Sequence, residues 1–156
     1  METVYVETTI VSYLVASPSR DLMLAAHQQA THQWWAIERL RYRCVTSEEV
    51  LREAAYGDPE MSRRRLAALA GMAVLPADAT VRQLAKDILI EQLLPASVIS
   101  DAIHVAAASL HDVDYLLTWN CRHLANPHLH KPLRSFMTAR RLALPEICTP
   151  IELAGE

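Results

Sequence analysis

The sequence predicts a three-layer α/β/α domain with a mainly parallel sheet of four or five strands. Short apolar segments alternate with longer helical patterns along the chain, an order typical of a parallel sheet that is covered by helices on both faces. A length of 156 residues suits one domain, so we expect a single domain over residues 1–156. No internal repeat, low-complexity tract or long linker divides the chain.

The apolar runs and their flanking residues define the elements. Strands are predicted over residues 3–6, 43–45, 72–75, 115–118 and 147–149. A threonine after Glu7 is expected to cap a first helix, and further helices are predicted over residues 21–41, 46–56, 59–70, 79–94, 98–111 and 130–142. The 46–56 helix is expected to open with a capping box of Thr46 and Glu49, which assigns Glu48 and Glu49 to capping and surface.

Composition excludes several classes of protein. With three glycines, the chain has neither a dinucleotide-binding glycine fingerprint nor a phosphate-binding loop. No apolar stretch is long enough for a membrane span, and three scattered cysteines suit a reducing compartment, so we expect a cytoplasmic protein. The net charge of −3 means that nucleic acid, if bound, must contact a local patch or a metal site.

Polar residues follow the predicted strands at the edge where parallel sheets bind ligands. Glu7 follows the first strand and Asn120 follows the fourth, while Asp101 and Glu53 lie on helices that begin at the same edge. Clustered carboxylates repel one another, and a hard divalent cation such as Mg²⁺ or Mn²⁺ relieves that repulsion. Such an ion keeps waters, one of which can attack a phosphodiester.

Each of these residues also has an ordinary structural interpretation. Glu7 and Asp101 could favour helix N-termini, Glu53 could be a solvated helix acid, and Asn120 could be a loop residue. Other features also allow a functional interpretation, but an ordinary structural role is favoured for each. The functional alternatives are a zinc site of Cys121, His123, His128 and His130, a general base at His104, a base-stacking surface at Trp34 and Trp35, and a phosphate contact at Arg63, Arg64 and Arg65.

Four segments in this order resemble the PIN-domain nucleases, in particular the VapC-type toxins of bacterial toxin–antitoxin pairs. Residues 4–11 (VYVETTIV) resemble the opening strand, acid and Thr/Ser turn of that family, and residues 46–57 resemble the helix of its second acid. Residues 101–108 (DAIHVAAA) resemble the helix of the third acid, and residues 114–120 (DYLLTWN) the strand that delivers a fourth. The resemblance covers nearly the whole chain.

The resemblance implies a PIN-like fold, Mg²⁺- or Mn²⁺-dependent endoribonuclease activity, homodimerisation and neutralisation by a cognate antitoxin. It assigns the metal to Glu7, Glu53 and Asp101, the attacking water or a second metal to Asn120, and a substrate contact to Thr9. The chain departs from the family at two positions, because Glu7 and Asn120 stand where aspartates are usual. The neutral amide of Asn120 reduces the negative charge of the site, so we expect weaker metal binding and one strongly bound ion.

Three functional hypotheses follow. The first is an RNA-cleaving toxin of the VapC type, with Arg63, Arg64 and Arg65 on the RNA backbone. The second is a degenerate nuclease fold that binds protein or RNA without catalysis, which the residues at positions 7 and 120 motivate. The third is a metal-dependent phosphoesterase that acts on small substrates, since the same acids would serve it.

Overall fold

The structure is a computed structural model that describes residues 1–95 and 98–155. Its centre is a five-stranded sheet in which every pairing is parallel and the strand order is β3-β2-β1-β4-β5. The strands are β1 (Thr3–Val6), β2 (Arg43–Ser47), β3 (Ala73–Leu75), β4 (Tyr115–Leu117) and β5 (Glu146–Cys148). The predicted α/β architecture with a parallel sheet is confirmed.

Helices fill the connections between the strands. They are α1 (Thr8–Val15), α2 (Leu22–Ala36), α3 (Glu48–Ala54), α4 (Pro59–Leu69), α5 (Ala79–Ile90), α6 (Ile99–Leu110) and α7 (Pro127–Ala139), with a short 3₁₀ helix over Glu38–Arg41. Helix α1 packs against α2, α3 and α4, whereas α5 packs against α6. In the described ranges no helix is long and apolar enough to cross a bilayer.

The order of the strands places a switch point between β1 and β4. The chain runs outward from β1 through β2 to β3, then returns to add β4 and β5 on the other side of β1. Right-handed crossovers therefore put the helices before β3 and those after it on opposite faces of the sheet. The connections that follow β1 and β4 leave the paired strand ends toward opposite faces, and the crevice between them is where such sheets bind ligands.

Two helix caps differ from the prediction. The Glu7 carboxylate, rather than a threonine, caps α1 by accepting a hydrogen bond from the Thr9 backbone amide. Ser47 rather than Thr46 caps α3, because Ser47 has the extended backbone of a cap and its Oγ accepts from the Val50 amide, while Thr46 is buried within β2. This one-residue shift turns Glu49 inward, so the predicted surface residue is 2% exposed.

Two helix ranges also differ. The long helix expected over residues 21–41 ends at Ala36, and the 3₁₀ helix continues the chain to Arg41. The last helix begins at Pro127 instead of residue 130, because the Asn126 side chain accepts from the His128 amide and caps it. Proline suits this first helical position, where an amide hydrogen would have no partner within the helix.

Candidate metal centre

Glu7 lies at the carboxyl end of β1 and is 3% exposed. Its Oε2 accepts hydrogen bonds from the Thr9 amide (3.0 Å), the Thr9 hydroxyl and the Thr118 hydroxyl (2.8 Å). Its Oε1 faces Nε2 of His104 at 3.9 Å, beyond hydrogen-bond distance. Burial raises the pKa of Glu7, and His104 with the three hydrogen bonds offsets only part of that rise. The ionised carboxylate therefore needs a positive partner on its Oε1 side.

Glu53 reaches the same place from α3. Its Oε1 accepts from the Thr8 hydroxyl at 2.8 Å and lies 2.6 Å from Nε2 of His104. Burial acts to raise the pKa of Glu53, but the hydrogen bond and charge of His104, together with Thr8, bring it below the ordinary value. The imidazole of His104 therefore favours the ionised form of Glu53.

His104 stands on α6 between the two acids and is fully buried. Its Nδ1 lies 2.7 Å from the hydroxyl of Tyr5, which lies 2.6 Å from the hydroxyl of Ser47. Burial acts to lower the pKa of His104, but the acids around it raise the pKa above its ordinary value. The acids around His104 therefore favour its charged form, and Tyr5 holds the ring between them.

Asp101 lies one turn before His104 on α6 and is 8% exposed. Its Oδ2 accepts from the Asn120 amide at 3.3 Å and lies 3.4 Å from Nδ1 of His123. Asn120 is fixed in turn, because its Oδ1 accepts from the His123 backbone amide at 2.9 Å. Burial raises the pKa of Asp101, which His104 and His123 counteract only in part.

The donor atoms suit a hard divalent cation. Glu7, Glu53 and His104 each offer one ligand atom, and these three atoms lie within 4.8 Å of one another. The two carboxylates supply oxygen ligands of the kind that Mg²⁺ and Mn²⁺ prefer, whereas Asp101 lies outside this 4.8 Å group. The raised pKa of Glu7 is a further sign of fit, because a bound cation would relieve the cost of ionising it. His104 lies closer to the two glutamates than the sequence indicated.

Searches with the sequence match no protein-family model and no curated protein. Solved structures do match. A chain of VapBC2 from Rickettsia felis, solved with a DNA fragment from its promoter, has a TM-score of 0.57 at 13% identity, covering 94% of this chain and 98% of that one. VapC20 from Mycobacterium tuberculosis, a sarcin–ricin loop cleaving toxin, has a TM-score of 0.54 at 17% identity, covering 72% and 86%.

The chain has the PIN-like fold of the VapC toxins. This confirms the fold that the sequence predicted, and at such low identity the likeness concerns the fold alone. In this VapC-like fold, Glu7 and Glu53 meet at His104, while Asp101 pairs with Asn120 one helical turn away on α6, and their roles as metal ligands stay a prediction.

The alternative zinc ligands are used elsewhere. His123 contacts Asp101, and Nε2 of His130 lies 2.7 Å from the Leu124 carbonyl oxygen. Cys121 is an exposed free thiol. In the described ranges, the group of acid, histidine and cysteine ligands within 4.8 Å is the Glu7, Glu53 and His104 set, so the structure does not support a zinc site at Cys121.

The predicted substrate contacts have other partners within the chain. The Thr9 hydroxyl donates to Glu7 and accepts from the Trp119 amide. Arg63 and Arg64 both pair with Glu60 on the surface of α4. Arg65 turns back to α3, where it donates to the carbonyl oxygens of residues 54 and 56. RNA contact by these residues stays a prediction.

Several residues that hold the acids escaped the sequence analysis. Thr8, Thr118 and Tyr5 each contribute one hydroxyl to the network, and His104 was identified only as a core or supporting residue. One signal was present: Tyr5 is the single aromatic residue in an otherwise small and branched buried strand. A phenol in such a strand needs a buried polar partner, and that partner is His104.

Proposed function

We propose that this protein is a metal-dependent endoribonuclease that hydrolyses RNA phosphodiester bonds as a VapC-type toxin. The observation that carries the proposal is the meeting of Glu7, Glu53 and His104 within 4.8 Å at the switch point of a VapC-like fold. Asp101, buried and coupled electrostatically to Glu53 and His104, completes the acidic set. Two buried acids and the half-buried Glu53 beside a crevice suit metal-assisted hydrolysis better than a structural role.

In this proposal the residues of the site have three different roles: metal binding, orientation of a water, and positioning of the carboxylates. Glu7, Glu53 and Asp101 would hold Mg²⁺ or Mn²⁺, and Asn120, fixed by His123, would orient a water through its amide. When bound, the ion supplies Lewis-acid chemistry: it neutralises the carboxylates and the charge that develops on a phosphodiester attacked by water. Thr8, Thr9 and Thr118 keep the carboxylate oxygens of Glu7 and Glu53 in position.

RNA is the substrate class that the comparison with VapC20 supports, because that protein cleaves the sarcin–ricin loop. The net charge of −3 gives no general attraction to polyanions, so the metal centre and local contacts must hold the RNA. We therefore expect the divalent ion to strengthen RNA binding in addition to its role in the chemistry.

Cleavage of structured RNA by the purified protein tests the proposal. We expect activity with Mn²⁺ or Mg²⁺, none in EDTA, and a loss of at least about a hundredfold in Asp101→Asn and Glu53→Gln. Glu48→Gln is the matched control, since Glu48 lies on the same helix and is exposed. Equal cleavage by wild type and Asp101→Asn would refute the assignment. Preferential hydrolysis of a small model diester would instead favour a phosphoesterase.

A binding module without catalysis is the second candidate, and the position of His104 favours it. The imidazole already contacts Glu53 at 2.6 Å and favours its ionised form, which reduces the need for a metal ion. Asn120 also adds no charge where an acid would strengthen metal binding. This candidate predicts RNA or protein binding that is the same in EDTA and in Mn²⁺.

We propose a cognate antitoxin and a homodimer as the partners. The VapBC2 structure supports the first, since it is a toxin–antitoxin system bound to promoter DNA. Co-expression with the product of the adjacent gene, followed by light scattering on a sizing column, measures both stoichiometries. We expect RNA cleavage to be lost when the complex forms. A protein that stays monomeric and does not bind the adjacent gene's product would contradict both the homodimer and the antitoxin.

A further inference from the structure

Three aromatic rings lie close to the acidic cluster, on its α1–α2 side. The ring of His27 stacks on Trp119 with centroids 4.2 Å apart and an interplanar angle of 14°. Tyr13 lies 5.8 Å from Trp119 at 13°, so the three rings are nearly parallel. Trp119 is buried and its Nε1 donates to the Thr31 hydroxyl at 2.7 Å, which fixes the indole against α2. The rings therefore form a rigid platform with Trp119 as its base.

The platform is joined to the acidic cluster by short hydrogen bonds. The Trp119 backbone amide donates to the Thr9 hydroxyl at 2.8 Å, and that hydroxyl donates to Glu7. Tyr13 follows Thr9 by four residues on α1, so both side chains lie on the same face of the helix, one turn apart. Tyr13 is thus linked to the acidic cluster through one turn of α1 and through Trp119.

Tyr13 also forms one wall of an open slot of about 180 Å³. The slot runs between α1 and the start of α2 and is lined by Tyr13, Ala16, Ser19, Leu24 and Gln28. Gln28 holds its shape, because its Nε2 donates to the Ser17 carbonyl oxygen and its Oε1 accepts from the Ser19 amide. These bonds fix the loop before α2 and give the slot a defined shape.

We propose that this slot binds one unpaired nucleobase by stacking it on Tyr13, beside the scissile site. The proposal rests on the endoribonuclease function above and defines its substrate as RNA with an unstacked nucleotide next to the cleaved bond. A base in a duplex is already stacked on both faces and cannot enter, whereas a base in a loop or single strand can turn outward onto an aromatic side chain.

We expect the slot to recognise a flat ring and not one particular base. The Gln28 amide is engaged by the backbone, and the Ser19 hydroxyl accepts from the Asp21 amide. The Gln28 and Ser19 side chains are therefore engaged by the chain itself, while the Tyr13 ring and Leu24 offer apolar contact. Stacking tolerates every base, so we expect selectivity for unpaired over paired RNA and only a mild preference among bases.

Binding in EDTA tests the slot without any cleavage. A fluorescent single strand of about ten ribonucleotides and its duplex are titrated by anisotropy. We expect the single strand to bind more tightly than the duplex, Tyr13→Leu to weaken single-strand binding about tenfold, and Tyr13→Phe to retain it. Unchanged affinity in Tyr13→Leu would overturn the proposal.

A charge placed at the mouth of the slot gives a second test that does not depend on the core. Leu24 is 42% exposed and lines the slot, whereas Leu22 is 88% exposed and does not. Leu24→Glu should weaken single-strand binding about tenfold by repelling phosphate and blocking the ring, and Leu22→Glu should leave it within about twofold. Equal losses would indicate general repulsion and overturn the proposal.

The two proposals can fail separately. Selective single-strand binding through Tyr13 in a protein that cleaves nothing would reject the endoribonuclease and keep the slot. Metal-dependent cleavage with the same KM in wild type and Tyr13→Leu would keep the endoribonuclease and reject the slot. If the slot variants keep RNA binding and fail only to bind the product of the adjacent gene in a pull-down, the slot is a protein interface and the base-stacking proposal is wrong.

Discussion

Glu7 is a carboxylate held almost entirely out of water. Three hydrogen bonds reach one of its oxygens, while the other faces His104 across 3.9 Å. Burial raises the pKa of Glu7 in the folded protein above its ordinary value of 4.5. Between these two pKa values the folded state binds more protons than the unfolded chain, so the free energy of unfolding falls as pH rises through that window.

Glu7→Gln should remove this loss of stability. In EDTA, we expect the variant to gain stability relative to wild type as pH rises from 4.5 to neutral, because the amide keeps an acceptor oxygen and carries no charge. Urea unfolding at the two pH values measures the difference, and the exposed Glu2→Gln serves as the control for losing one acid. A variant with the same relative stability at both pH values would show that Glu7 ionises freely.

The sequence contained enough information to place the acids but not their contacts. Glu7 and Asn120 follow apolar strands directly, and strand ends in a parallel sheet meet at one edge, so their convergence could be predicted. The bond between His104 and Glu53 could not, because it depends on the rotation of α6 about its axis and on the length of α3. Neither quantity is determined by the spacing of polar residues along the chain.

At the scale of the elements, α3 has the largest influence on the site because it carries Glu53 in its last turn. Its start is fixed by the Ser47 cap, and its end by Arg65 of α4, which donates to the carbonyl oxygens of Ala54 and Tyr56. The chain then turns at Gly57, where a φ of 88° requires a residue without a side chain. The position of Glu53 is therefore held from both ends of a seven-residue helix.

Arg65→Ala should act through α3 and not through RNA binding. Loss of two charged hydrogen bonds to the helix end should lower the free energy of unfolding by about 1–3 kcal/mol and lower kcat, with little change in KM. Arg63→Ala removes an exposed ion pair and should change stability by less than about 0.5 kcal/mol. Urea unfolding and steady-state RNA cleavage compare the two variants.

The same pair of variants separates the two interpretations of the basic run. If Arg63, Arg64 and Arg65 all contact phosphate, each substitution should raise KM equally and reduce its dependence on salt. Equal KM effects without loss of stability in Arg65→Ala would show that the hydrogen bonds from Arg65 to the end of α3 are unimportant. The sequence indicated a solvated face or a phosphate contact for Arg63, Arg64 and Arg65. It did not predict the hydrogen bonds from Arg65 to α3, because α3 and α4 are separated by a turn whose direction depends on Gly57.

At the scale of the whole molecule, the acidic centre is assembled from segments that are far apart along the chain. Glu7 belongs to the β1–α1 junction, Glu53 to α3 and Asp101 to α6, and the Tyr5–His104 hydrogen bond ties the sheet to α6. The parallel sheet follows from the alternation of apolar strands and helices, which is why the sequence predicted it, whereas the strand order that creates the switch point is a finding of the structure. Unfolding disperses the three acids, so the unfolded chain has no comparable metal site.

Mn²⁺ should therefore stabilise the folded protein by mass action. A ligand that binds the folded state alone adds about 2.7 kcal/mol at a hundred times its Kd, and EDTA should reverse the gain. Thermal unfolding with increasing Mn²⁺ should show a rising Tm in wild type and in the exposed control Glu48→Gln, and a flat response in Glu7→Gln and Glu53→Gln. A wild-type protein with no response at millimolar Mn²⁺ would mean that His104 suffices as the counter-charge, and the fold would then serve binding instead of hydrolysis.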